Sequence, residues 1–189
     1  MALLGRAFQD DPMMRYLVPD GARRRRVLPA FFAGLAGYGL RYGRVDATAD
    51  LAGVAVWLAP GNTAASPVRM LRSGMMTGCV RLGADGMRRL LRLTGPMEST
   101  HHRVMTAPHW YLWLLAVEPE RAGQGIGGAL LGAGLDRADV AGVPCYLETH
   151  NERNLRFYRR QGFEVVDETD VPGAIRFWAL RREPGGGGG

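Results

Sequence analysis

The chain has 189 residues, 47% of them hydrophobic and 22% charged, which fits one ordinary globular domain with a real core and excludes an extended disordered chain. Its net charge is +6 and every basic residue is arginine, a usage that genome composition alone can produce but that suits forked contacts to phosphate or carboxylate. The densest basic run, Arg23 to Arg26, would wrap around a helix rather than form one face, and the basic–aromatic alternation of single-strand binders is lacking, so nucleic acid is not an expected partner.

Two short helices are expected first, at Leu3 to Phe8 and Pro12 to Leu17, followed by a longer one from Ala22 to Leu40 capped by Asp20. The uncharged run Val27 to Leu40 is too short to span a membrane, which takes about 20 residues, and with no leader-like segment before it the chain reads as cytoplasmic. "YGRVDATAD" and "LAGVAVWLAP" read as two strands joined by a turn near Asp50, and Pro60 to Pro67 as a loop. Residues 68 to 103 read as helices, broken near Gly83 to Gly86 and again at Gly95-Pro96. Met70, Met75, Met76 and Met87 are candidates there for an adaptable substrate lining, although core packing is the commoner use of methionine. His101 and His102 fall in an expected loop and receive no role.

"PHWYLWLLAV" is the strongest strand, rich in aromatics and apolar on both faces. A glycine-rich loop and a helix to about Ala141 follow, then a strand in "VPCYLETH", a short helix in "NERNLRFYRRQ", and two closing strands in "FEVVDET" and "AIRFWALRR". Cys79 and Cys145 have neither zinc spacing nor a disulfide framework around them, and Cys145 reads as a small core residue. Residues 1–183 are expected to form one domain, with 184–189 a flexible glycine tail.

The chemistry concentrates in "LLAVEPERAGQGIGGALL". Glycines between a strand and a helix let backbone amides approach a phosphate at the helix N-terminus. Gly123, Gly125 and Gly128 fit the dinucleotide fingerprint, with Glu148 twenty positions after Gly128. Glu118 to Ala122 nevertheless separate the strand from the first glycine, and the strands that follow look antiparallel, so topology opposes a nicotinamide cofactor.

"AGQGIG" at Ala122 to Gly127, preceded by "AVEP", and the later "YLETHNERNLRFYRRQGFEVV" together resemble the GNAT superfamily of N-acetyltransferases. The likeness is closest to the branch that contains puromycin acetyltransferase. It implies an α/β fold with a mixed, mainly antiparallel twisted sheet flanked by helices. It also implies acetyl-CoA as cosubstrate, no metal, and direct acetyl transfer to a small-molecule amine. The family's first strand precedes the opening helix, whereas this chain begins inside that helix, so an edge strand is expected to be missing or the chain truncated.

The resemblance assigns Leu115 as the backbone oxyanion donor, with Ala116 and Val117 along the pantetheine arm. It assigns Ala122, Gly123, Gln124, Gly125, Ile126, Gly127 and Gly128 to the pyrophosphate, although Ala122 stands where the family prefers Gln or Arg and Arg121 lies one place early. Asn154 would reach the arm, Tyr158 would serve the departing sulfur, and Glu148 would be the base. A carboxylate satisfied by the amides of Asn151 to Asn154 is the plainer reading of Glu148, and ring packing that of Tyr158. His109 is a further candidate whose ordinary use is structural. Two rivals are a nicotinamide-dependent oxidoreductase and a non-catalytic coenzyme A binder. Membrane is not an expected partner, and either a monomer or a homodimer fits the exposed strand edges.

Overall fold

The structure is a computed structural model that describes residues 2–64 and 66–185; the expected glycine tail falls mainly outside the described residues. Three helices open the chain: α1 (Ala2–Ala7), α2 (Pro12–Leu17) and α3 (Gly21–Tyr42). Their starts follow from capping chemistry. The Asp11 carboxylate accepts from the amides of Met13 and Met14 with Pro12 in the first turn, and Asp20 accepts from the Arg23 amide. A hairpin follows, β1 (Gly43–Ala47) and β2 (Gly53–Leu58), and then α4 (Pro67–Arg72), α5 (Met75–Val80) and α6 (Gly83–Val104).

The helical region breaks at Gly74 and Gly83, both with positive φ, and not at Gly95-Pro96, through which α6 runs unbroken. An interior proline costs about 3 kcal/mol. Here the helix is buried on both sides of it, at Leu93 and at Thr100 and His101, so tertiary packing outweighs local propensity. The same packing places His101 in the last turn of α6 rather than in a loop. Met75 is buried in the core, while Met76 is 39% exposed, so the four methionines do not form a common lining.

The rest of the chain supplies β3 (Trp110–Val117), a 3-10 turn at Pro119–Arg121, α7 (Ile126–Ala141), β4 (Cys145–Thr149), α8 (Arg153–Arg160), β5 (Glu164–Asp170) and β6 (Arg176–Arg182). The six-stranded sheet has the order β1-β2-β3-β4-β6-β5. Only β3 and β4 pair in parallel; the other four pairings are antiparallel. This mixed sheet is not the doubly wound parallel sheet that a dinucleotide fold requires.

Strand alternation divides the interior into two cores. Tyr111, Tyr146, Phe177 and Ala179 join Leu17, Phe32, Tyr38 and Leu93 on one face. Leu112, Cys145, Leu147, Trp178 and Leu180 join Trp57, Leu131, Leu135, Leu155 and Tyr158 beneath α7 and α8 on the other. Contact between α7 and the sheet is closest at Gly134, where an added Cβ would stand 2.2 Å from Trp57 Cζ2. Trp57 is fully buried, so the ring cannot yield. Gly134→Ala should therefore destabilise the fold by about 1–3 kcal/mol through overpacking, read as a lowered urea midpoint with an unchanged slope; an unchanged midpoint would mean that α7 can lift without cost.

Candidate functional site

The site starts from a break in the ladder. Pairing of β3 with β4 covers only Trp110, Leu112 and the tyrosine between them against Cys145–Leu147, although β3 runs on to Val117. The cause lies on the opposite edge of β3. Leu112 opposes Trp57 and Leu114 opposes Val56, so Trp113 is an extra residue, a β-bulge that turns the strand away from β4. Core membership carries the same signature, since Trp113 and Leu114 both pack on the first core while Leu112 and Leu115 pack on the second.

The bulge also re-aims backbone groups. The Glu118 amide donates to the Ala52 carbonyl at 2.8 Å, and the register continues through Val54 opposite Ala116 and Ala55 opposite Leu115. Antiparallel alternation then spends the polar groups of Ala116 on β2 and turns those of Leu115 and Val117 toward the opening beside β4.

At the mouth of this opening lies the glycine loop. Gly123 and Gly125 both have φ of +82°, a conformation in which a Cβ would be strained. The start of α7 has no side-chain cap. The first intrahelical bond is Ala129 N–H to the Gly125 carbonyl, so the amides of Ile126, Gly127 and Gly128 are left to an outside acceptor at the positive end of the helix dipole. A Cβ on Gly127 would meet Val117 at 3.5 Å and Phe157 at 3.8 Å, which puts the loop, the end of β3 and α8 in one place. Ala122 is exposed and offers backbone alone. Arg121 does not replace the missing side chain, because its guanidinium is engaged by Asp50 and by Gln124 Oε1. An open groove of about 730 Å³ runs from Gln124, Gly125 and Ile126 along α7 to Val45 and Asp46 of β1.

On the α8 side, Asn154 and Tyr158 are one helical turn apart. Asn154 Nδ2 donates to Thr149 Oγ1 at 3.2 Å and ties α8 to the end of β4. Tyr158 is 8% exposed, edge-on to Phe157 and Phe163, and its hydroxyl makes no hydrogen bond among the described residues. Burial pushes the phenol's pKa well above its ordinary value, and the Asp11 charge adds to the effect. Tyr158 therefore stays protonated and has a hydrogen to donate. Packing and an available hydroxyl coexist in this residue.

The opposite face carries Glu148. Tyr111 donates to its Oε2 at 2.7 Å and Tyr146 to its Oε1 at 2.8 Å. The amides after β4 are used elsewhere, Asn151 N–H on Thr149 and Arg153 N–H on the Asn151 side chain, so the expected alternative of a carboxylate satisfied there is replaced by a two-phenol clamp. Burial raises Glu148 to about 7, against the opposing pull of the two phenols. Behind the clamp, the His101 ring stacks on Tyr146 at 4.6 Å between centroids. His101 Nε2 meets His109 Nε2 at 2.7 Å, and His109 Nδ1 lies 2.8 Å from the Ala107 carbonyl. That geometry has His109 donating from Nδ1 and accepting at Nε2. Burial lowers His101 to about 4, so the pair is neutral and acts as a wall. His150 Nε2 is buried without a partner among the described residues, with its ring 6.2 Å from Phe177.

The structure thus gathers Leu115, Val117, the loop from Ala122 to Gly128, Asn154 and Tyr158 around one opening, with Glu148 on the sheet's other face. Ala116 lies between the two inward-facing residues, with its amide turned to β2. Strand alternation in the sequence puts Tyr146 on the face of Glu148 without giving it a role, and sequence reading missed Asp11, Tyr111 and the His101–His109 pair. The Asp-Pro cap at Asp11 was a usable signal; the others depend on tertiary register. Chemically, the arrangement offers a proton acceptor near neutrality on one side, a hydroxyl donor on the other, and inward-facing backbone amides between.

Residues 68–163 match the family profile described as the acetyltransferase (GNAT) family. An uncharacterized N-acetyltransferase of Schizosaccharomyces pombe is 27% identical over 168 residues, 86% of this chain and 68% of that protein. A mycothiol acetyltransferase of Acidimicrobium ferrooxidans is 48% identical over 63 residues, which span 32% of this chain and only 20% of that protein. Among solved structures, arylalkylamine N-acetyltransferase 2 from Aedes aegypti shares the fold at a TM-score of 0.64 and 13% identity, covering 98% of this chain and 93% of that one. A histone acetyltransferase HPA2-related protein from Corynebacterium glutamicum does so at 0.60 and 22%, covering 97% and 88%.

The burial of Glu148 has a measurable cost. Because the folded carboxyl holds its proton to about pH 7, the folded chain binds more protons than the unfolded chain below that pH, and stability falls as pH rises from the ordinary carboxyl range to 7. Allowing for the residue's partial exposure, the penalty above pH 7 is about 1–3 kcal/mol. Glu148→Gln should therefore raise Tm relative to the parent at pH 8 and lose that advantage at pH 5, in paired thermal melts. An equal effect at both pH values would mean that the carboxylate is not destabilised by burial.

Proposed function

The chain belongs to the acetyltransferase (GNAT) family, and we propose that it moves the acetyl group of acetyl-CoA directly to the amine of a small molecule in a ternary complex. The observation that carries this reading is the opening between β3 and β4, faced by the polar backbone of Leu115 and Val117, with uncapped amides at its mouth. An extended polar arm ending in a thioester fits such a slot, and a pyrophosphate fits its mouth.

Acetyl-CoA supplies an activated carbonyl and a sulfur leaving group. The amides of Gly123 to Gly128 hold the pyrophosphate, with Ala122, Gln124 and Ile126 contributing backbone; Ala116 and Val117 flank the arm, and Asn154 steadies its approach. Leu115 N–H donates to the carbonyl oxygen as it gains charge, a role suited to a fixed backbone dipole. Glu148 takes the amine proton, which an acidity near 7 favours at physiological pH. Tyr158 donates a hydrogen bond to the departing sulfur. A phenol pushed above its ordinary value of about 10 is a weaker acid than a thiol at about 8.5, so this donor stabilises the thiolate rather than surrendering its proton.

The resemblance to the puromycin acetyltransferase branch rests on Glu148 and the segment from Tyr146 to Val166, and it supports a small amine as acceptor. Residues 1–183 are read as one such domain, located in the cytoplasm. No helix among the described residues is long and apolar enough to cross a membrane, and Cys79 and Cys145 are both buried free thiols. If two copies pair, β1 and β5 are the strand edges they would use.

Thermal unfolding with acetyl-CoA, CoA or NAD tests the ligand. Either coenzyme A species at a hundred times its Kd should add about 2.7 kcal/mol of stability, with no shift from NAD; a shift from NAD alone would sink the proposal. Tyr158→Phe should lower kcat about 10²-fold at nearly unchanged acetyl-CoA affinity, whereas full retained turnover would reduce Tyr158 to packing. Glu148 is active when deprotonated, so kcat/KM should rise with pH through about 7 and then level. Glu148→Gln should lower it by about 10²–10⁴-fold and abolish that rise.

A further inference from the structure

A second charged cleft lies away from the glycine loop. It encloses about 340 Å³ and is lined by Tyr16, Pro19, Arg88, Arg89, Arg92 and Gly173. Arg88 and Arg92 are one turn apart on α6 with Arg89 beside them, so the three guanidinium groups share one side of the helix. No acidic residue lines the cleft. Some arginines elsewhere are neutralised by carboxylates, as in Arg6 with Glu118, Arg103 with Asp167 and Arg182 with Asp139; Arg89 and Arg92 have no such partner among the described residues. Among the described residues, Arg89 in the cleft reaches only the carbonyls of Tyr16 and Leu17 at 3.3 and 3.5 Å, and Arg92 only that of Gly173 at 3.4 Å. These contacts lie at or beyond the long end of hydrogen bonding. Arg88 pairs with Asp85 at 2.9 Å through one nitrogen. Each guanidinium has five donors, and most of them here await an acceptor.

The position of the cleft is as informative as its charge. Gly173 lies in the turn between β5 and β6, and β6 begins beside the end of β4, where Trp178 opposes Thr149 and Ala179 opposes Glu148. α6 packs on the same core as Tyr111 and Tyr146, the two residues that clamp Glu148. α2, which supplies Tyr16 to the cleft, packs against α6 and on the same core as Tyr111 and Tyr146. Tyr16 lies on the helix that Asp11 caps, five residues or about 8 Å further along its axis. No residue of the loop from Glu118 to Gly128 lines the cleft, so the coenzyme's phosphates have a separate cradle.

We propose that Arg89 and Arg92, with Arg88 at the rim, bind a carboxylate or phosphate group carried by the acceptor amine, making this an acetyltransferase for small amines with an anionic end. The inference rests on the acetyl-transfer reading above for the fate of the amine, and on the arginine cleft alone for the anion. Two oxygens of either group match a guanidinium fork.

The test is calorimetric titration of the CoA-loaded chain with matched pairs: aminohexanoate against hexylamine, and aminobutyl phosphate against aminobutanol. The anionic member of one pair should bind at least about tenfold more tightly, and the pair that responds identifies carboxylate or phosphate. In the Arg89→Gln/Arg92→Gln variant the preference should fall to about twofold or less, and in the parent it should weaken with added salt. If the double variant fails to fold, Arg92→Gln, whose side chain is exposed, should lower the preference alone. Equal affinity within both pairs, no binding of either anionic amine, or a preference that survives the arginine changes would overturn the proposal. Failure of the acetyl-transfer reading is seen separately, as absence of any stabilisation by CoA or acetyl-CoA. Acetylation of neutral and anionic amines at equal kcat/KM would leave acetyl transfer standing and remove only the anion.

Discussion

The structure depends on one obligation of the backbone. A strand inside a sheet must satisfy its N–H and C=O groups on both edges, and β3 stops doing so on one edge after Leu112. The bulge at Trp113 makes this tolerable. It keeps the pairing with β2 intact through Gly53 opposite Val117 while turning the polar groups of Leu115 and Val117 into the opening. Without the extra residue those groups would lie on β2, and the opening would be lined by a different pair. A single inserted residue therefore decides which amides a ligand can reach.

Around that opening the charges are arranged to oppose each other's proton affinities. Glu148 is buried and held between two phenols, so it remains a usable acceptor near neutrality. Tyr158 is buried and the Asp11 charge adds to the effect, so it remains a donor at any physiological pH. The sheet lies between them, and the two groups do not neutralise one another. Burial at both positions draws on stability supplied by the two cores, which is the usual relation between a strained site and its scaffold. The neutral His101–His109 pair fits this scheme, since a charged wall behind Tyr146 would pull Glu148 back toward its ordinary acidity.

What was legible in the sequence follows the reach of local rules. Capping at Asp20, the aromatic strand at 110–117 and the glycine-led start of α7 are all local, and each is realised in the structure. Alternation in "CYLETH" correctly puts Tyr146 on the face of Glu148. The bulge was illegible because Leu112, Trp113, Leu114 and Leu115 are all apolar, so their pattern carries no phase that a one-residue slip could disturb. The pairing of Tyr111 with Glu148 depends on a parallel register that no short motif encodes. Pro96 misled because a local breaker was overruled by burial at Leu93 and Thr100, and the neighbourhood of Asp11 and Tyr158 joins opposite ends of the chain.

The ion pairs that brace this fold, among them Arg137 with Asp46 and Arg182 with Asp139, are built on arginine apart from His102 with Glu98 among the described residues, and the chain contains no lysine. A guanidinium keeps its proton throughout the range in which proteins work and has no free lone pair for a thioester carbonyl. An enzyme that carries an activated acetyl group thus presents no side-chain amine of its own as a competing target. Stable side-chain amide acetylation recovered from a reaction therefore belongs to an added acceptor rather than to the catalyst.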